Sequence, residues 1–71
     1  MIREGTQVRW EWGQGHATGE VIEVHHETIE KQIKGNQVKR EGTDDNPAYL
    51  IKQQDGTHVL KLQSEVERAD D

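Results

Sequence analysis

Residues 8–12 read Val-Arg-Trp-Glu-Trp and run into the glycine-rich stretch Gly13-Gln14-Gly15. Trp10 and Trp12 are two of only three aromatic residues, Tyr49 being the third, and phenylalanine is absent. In an extended strand, side chains two apart share a face, so Val8 and both indoles line one side. Two chemistries are open to such a pair. One is a binding wall: with Tyr49 they would make an aromatic cage. Asp44 and Asp45 at its mouth and Asn46 in the adjoining loop would then select a cationic or methylated ammonium group by cation–π attraction. The other is core packing, which a domain without phenylalanine must obtain from tryptophan or tyrosine.

A second set is basic. Lys34, Lys39 and Arg40 fall on one charged stretch, and Lys61 on a neighbouring one. Together with a stacking aromatic they could hold the phosphate of a nucleotide or nucleic acid; alternatively they keep a strand edge solvated. The net charge of −5 works against a general phosphate field. Much of the acidic excess is terminal, with Glu65, Glu67, Asp70 and Asp71 set against Arg68. The remaining body is close to neutral, so a local basic patch stays open.

Other chemistries lack their residues. There is no cysteine for a disulfide or thiolate metal site. His25 and His26 are adjacent, so a strand turns them to opposite faces, and no pattern joins His16 to His58; no metal site is expected. The 44–49 segment lacks the ligand spacing of an EF-hand. The single serine, Ser64, heads a Ser-x-x-Glu pattern with Glu67 that fits a helix cap, not a nucleophile. No phosphate loop or dinucleotide fingerprint is present. The expectation is a non-catalytic protein without a cofactor.

Positioning these residues falls to short strands. Turn signals at Gly13-Gln14-Gly15, Gly35-Asn36, 42–47 and Asp55-Gly56 divide the chain into runs at 6–12, 17–26, 28–34, 38–41, 48–53 and 58–62. Gly19 reads as a bulge, after which Ile22 and Val24 share a face opposite Glu23 and His25. A helical turn starting at Ser64 closes the domain. At 71 residues, with 14 of them Val, Ile or Leu, one thin core is all the chain can build. We expect one domain over 1–67 and an acidic flexible tail at 68–71. Five or six strands in so short a span predict a small, strongly bent antiparallel barrel, since closure removes exposed edges. No apolar run is long enough for a membrane helix, and the N-terminus has no apolar signal core, so a cytoplasmic protein is expected.

Five motifs in order, Val-Arg-Trp-Glu-Trp-Gly at 8–13, Ala-Thr-Gly-Glu-Val at 17–21, Ile-Lys-Gly at 33–35, Asp-Asn-Pro-Ala-Tyr at 45–49 and Val-Leu-Lys at 59–61, carry a further reading. Over residues 3–67 the chain resembles the hypervirulence-associated protein Tudor-like domain family. That resemblance implies an SH3-like, Tudor-type barrel and no established reaction, because fold does not fix function. Three readings follow. The first is a binding or adaptor module that takes a protein or peptide on Trp10, Trp12 and Tyr49. The second is a nucleic-acid or nucleotide binder that uses Lys34, Lys39, Arg40 and Lys61. The third is a self-associating structural domain.

Overall fold

Alternation of apolar and polar residues, punctuated by glycine turns, produces an all-β chain. The computed structural model describes residues 2–69. Its strands are β1 (Gln7–Trp12), β2 (Gly15–His25), β3 (Thr28–Ile33), β4 (Asn36–Glu41), β5 (Ala48–Lys52), β6 (His58–Leu62) and β7 (Glu67–Arg68). One turn of 3-10 helix, Gln63–Glu65, precedes β7. All six expected strands form, within two residues of their expected ends.

Pairing is antiparallel throughout, but the expected closed barrel is not formed. A five-stranded sheet has the order β6-β5-β2-β1-β7, and β3-β4 is a separate two-stranded ribbon. The physical reason lies at the two ends of the large sheet. Beyond β1 stands only β7, which pairs with Val8 and Arg9 alone. On the other side, the ribbon meets β6 through side chains instead of a ladder: Ile29, Ile33 and Val38 pack against Ala48, Leu50 and Leu60. Arg40 donates from Nε to the Leu60 carbonyl at 3.4 Å. Of the expected tail, Arg68 lies in β7 and the Ala69 N–H donates to the Gln7 carbonyl at 2.9 Å, while Asp70 and Asp71 lie outside the described residues.

β5 is the central layer. Tyr49 and Ile51 enter one cluster with Val8, Trp10 and Val21; Ala48 and Leu50 enter the other with Leu60. A strand buried on both faces reads as a continuous apolar run, as Ala-Tyr-Leu-Ile does.

Three local readings shift. The bulge in β2 falls at Ile22, because Val21 pairs with Ile51 and Glu23 with the next residue back, Leu50. The extra residue reverses the alternation, so Ile22 joins the ribbon-side cluster and Val24 the other; they do not share a face. Gly19 serves close approach instead: a Cβ there would lie 2.5 Å from Ile51 Cγ2 and 2.9 Å from the Lys52 carbonyl oxygen. The ribbon turn is centred one residue earlier than expected, on Lys34-Gly35, since Ile33 pairs with Asn36. Both central residues have positive φ, 52° and 79°, the pattern of a type I′ turn.

The charged residues on the inner face of the ribbon also hold it to the sheet. Lys31 Nζ lies 3.3 Å from Glu23 Oε1, which is itself 2.7 Å from His25 Nε2. Hydrogen bonding from His25, aided by the Lys31 ammonium, holds the Glu23 carboxyl below its ordinary value of 4.5. A depressed carboxyl stabilises the fold above its unfolded pKa, and that contribution disappears as pH falls through the lower folded value. Urea unfolding should therefore show wild type more stable than Glu23→Gln at neutral pH, by under about 1 kcal/mol because the pair is screened. The gap should shrink on acidification below 4.5. A gap independent of pH would contradict the assignment.

A lysine in the left-handed region is strained relative to asparagine, which tolerates it. Lys34→Asn should raise the unfolding free energy by about 0.5–1 kcal/mol. Unchanged or reduced stability would mean that the turn geometry is not the one described.

Candidate functional site

The strand pair β1-β2 separates the fates of the two tryptophans. Large residues on β1 face small ones on β2: Val8 is paired with Gly19, Trp10 with Ala17 and Trp12 with Gly15. Trp10 sits over the core and is 5% exposed, whereas Trp12 stands at the end of the sheet and is 73% exposed. Opposite Trp12 the two-residue turn leaves only Gly15, which has no side chain to cover an indole. Gly13 opens that turn at φ 57°, the glycine position of a type II′ turn.

As expected of positions two apart, both indoles line the same hollow. Its volume is about 310 Å³, and Ala17, Gln53, Thr57 and Val59 share its wall. Its charged members are Lys34, from the ribbon tip, Asp55, from the β5-β6 loop, and Lys61, from β6. Asp55 is fixed in place: its Oδ1 accepts the Thr57 N–H at 3.0 Å and the Thr57 hydroxyl at 2.7 Å. These bonds, with a smaller contribution from Lys34, hold the Asp55 carboxyl below the usual range.

The aromatic cage does not assemble. Tyr49 is 1% exposed inside the β1-side core. Its hydroxyl donates to Gln63 Oε1 at 3.1 Å, and burial pushes its pKa up. The cause is the shortage of apolar residues: without phenylalanine, Trp10 and Tyr49 are needed in the interior. Asp44 and the edge of Tyr49 border a different hollow, of about 470 Å³, with Ile2, Arg3, Val24, His26 and Pro47. Asp44 and Asp45 are exposed, and neither borders the Trp12 hollow. Asn46 is a tether. Its side chain accepts the Ser64 N–H at 2.9 Å and donates to the Ser64 hydroxyl at 3.3 Å, which joins the 43–47 loop to the 3-10 turn. That exchange also replaces the capping role expected of Ser64; the Leu62 N–H is taken instead by Glu65 at 2.8 Å. Glu67, expected in the same cap, pairs with Arg9 at 2.7 Å.

The basic set divides as well. Lys39 stands across the ribbon from Glu30, and Arg40, on the opposite face, is engaged by the Leu60 carbonyl and by Glu65 at 3.7 Å. Only Lys34 and Lys61 come together, beside Trp12. Sequence reasoning missed Asp55, Gln53 and Thr57 as neighbours of the indole. The Asp55-Gly56 signal located their hairpin but not the side of the sheet to which its loop leans. Among the described residues no group of three His, Asp or Glu side chains is arranged to hold a metal ion.

The family model described as the hypervirulence associated proteins TUDOR domain matches residues 5–66. The chain belongs to this family. No curated protein and no solved structure gave a match. In this Tudor domain the aromatic residues therefore serve two purposes, Trp10 and Tyr49 as core and Trp12 as surface. Truncating a buried tryptophan costs about 3–5 kcal/mol, comparable to the whole stability of so small a domain. Trp10→Ala should thus lose its cooperative thermal transition in circular dichroism. Trp12→Ala should keep a melting curve within about 0.5 kcal/mol of wild type. The reverse ranking would overturn the assignment of core and surface.

Proposed function

We propose that this Tudor domain is a non-catalytic binding module that engages a protein or peptide segment through Trp12 and the hollow beside it. One observation carries the reading. Trp12 is the exposed large hydrophobic side chain of the described residues, and it borders a concavity with polar groups at fixed positions. An indole left in water forgoes stabilisation of about 1.5–3 kcal/mol that burial would supply, and tryptophan is prominent among residues that dominate interface energetics. Gln53 offers its amide NH2 and Asp55 its second carboxylate oxygen to the backbone groups of an extended partner, while the Thr57 hydroxyl between them holds both in place. Family membership supports a binding module in general and leaves its partner open.

Peptides selected from a random displayed library test the reading. A bound peptide should shift the Trp12 indole resonance while leaving the Trp10 indole little changed. Trp12→Ala should weaken that peptide by about tenfold or more without loss of fold. Selected peptides that bind Trp12→Ala as tightly as wild type would place the contact face elsewhere.

A further inference from the structure

The charges around Trp12 define which partner suits it, and this step rests on the Trp12 contact face proposed above. Lys34 and Lys61 reach the hollow from two different elements, the ribbon tip and β6. Neither forms an ion pair among the described residues, in contrast to Arg9, Lys31 and Arg40. Asp55 is the one carboxylate on the same wall, held by Thr57 through Oδ1, so two ammonium groups stand against a single carboxylate. The immediate surroundings of the exposed indole are thus net positive in a protein of net charge −5.

We propose that the hollow takes an acidic peptide segment, with an apolar or aromatic side chain laid on the Trp12 indole and carboxylates on either side of it meeting Lys34 and Lys61. A cationic peptide would bring its charge against both ammonium groups. A nucleotide would stack equally well on the indole and bring its phosphate to the same lysines, but it has no backbone N–H groups to set against the Asp55 carboxylate. A peptide instead supplies backbone N–H groups, which the second oxygen of Asp55 can accept. A long polyanion would also have to cross a molecule that is acidic as a whole, with Glu30 and Glu41 exposed along the ribbon. An acidic segment of a few residues places its charge only where the lysines are. Complementarity of this kind sets specificity and association rate more than raw affinity.

The test is a fluorescence and amide-NMR titration with three short peptides that share one central tryptophan-stacking residue and carry glutamate, glutamine or lysine on both flanks. Adenosine monophosphate and a thymidine oligonucleotide are added as competitors. The glutamate-flanked peptide should bind wild type about five- to tenfold more tightly than the glutamine-flanked one. Added salt should weaken it, and it should lose that advantage in Lys61→Gln and in Lys34→Asn. The latter variant is expected to fold better than wild type, so its loss of binding cannot be a loss of structure. Equal or tighter binding of the glutamine- or lysine-flanked peptide, with the Trp12 indole still shifting, would overturn the acidic partner while leaving the contact face standing. Displacement of the peptide by the nucleotide or oligonucleotide at lower concentration would overturn it in favour of a phosphate ligand. Binding of all three peptides that is indifferent to Trp12→Ala would remove the contact face itself.

Discussion

The double burial of β5 is the contact on which the rest of the molecule depends. Ala48, Tyr49, Leu50 and Ile51 are consecutive and all buried, which requires apolar material on both sides of one strand. On one side, β1 and β2 supply it by curling Val8, Trp10 and Val21 over Tyr49 and Ile51. On the other, Ile22, Leu60 and Leu62 lie alongside in the same sheet, and the detached ribbon supplies the facing layer with Ile29, Ile33 and Val38. The ribbon is therefore a lid on the second half of the core as well as a hairpin. Its attachment also places Lys34 beside Trp12. A chain with 14 Val, Ile and Leu residues cannot fill two layers from aliphatic side chains alone. Trp10 and Tyr49 are drawn inward for that reason.

Attachment without a backbone ladder explains how the charges are divided. The inward face of the ribbon carries Lys31 and Arg40 between its apolar residues. Their long side chains cover apolar surface with their stems and carry their charge to partners on the main sheet. Lys31 meets the Glu23-His25 pair, and Arg40 meets the Leu60 carbonyl and Glu65. Each of these contacts is worth little alone where water reaches it. Together they fix which way the ribbon lies, which apolar contact, being non-directional, leaves loosely determined.

Strand positions were legible in the sequence because they rest on local signals: glycine and Asp-Gly turns, and alternation of period two. Parity beyond the β2 bulge was not, since an inserted residue leaves no mark in composition, and Gly19 attracted the bulge assignment that belongs to Ile22. Gly35-Asn36 offers a local turn signal as good as Lys34-Gly35. Only the pairing of Ile33 with Asn36 separates the two registers. Strand number suggests barrel closure but does not determine whether two edges meet. The fate of the aromatic residues was the least legible. Trp10 and Trp12 have the same chemistry in the sequence; what distinguishes them is the strand ladder, which sets one indole over Ala17 and the other opposite Gly15 at the sheet end.

That difference carries the functional argument. A tryptophan that merely completed a core would be sited, like Trp10, over a small residue in the middle of the sheet. Trp12 instead stands where the sheet gives way to a two-residue turn, with its face toward the β5-β6 loop and the ribbon tip. Three elements far apart in sequence thus converge on one side chain that contributes little to the interior. The Asp55-Thr57 bonds hold the loop in shape, and the apolar contacts of Ile33 and Val38 hold the ribbon whose tip carries Lys34. An exposed indole with rigid polar neighbours is pre-organised, so a partner that covers it loses little to ordering of the domain. The thin core and the free indole then share one origin. The chain has three aromatic residues, its core takes two, and topology leaves the third where another molecule can reach it.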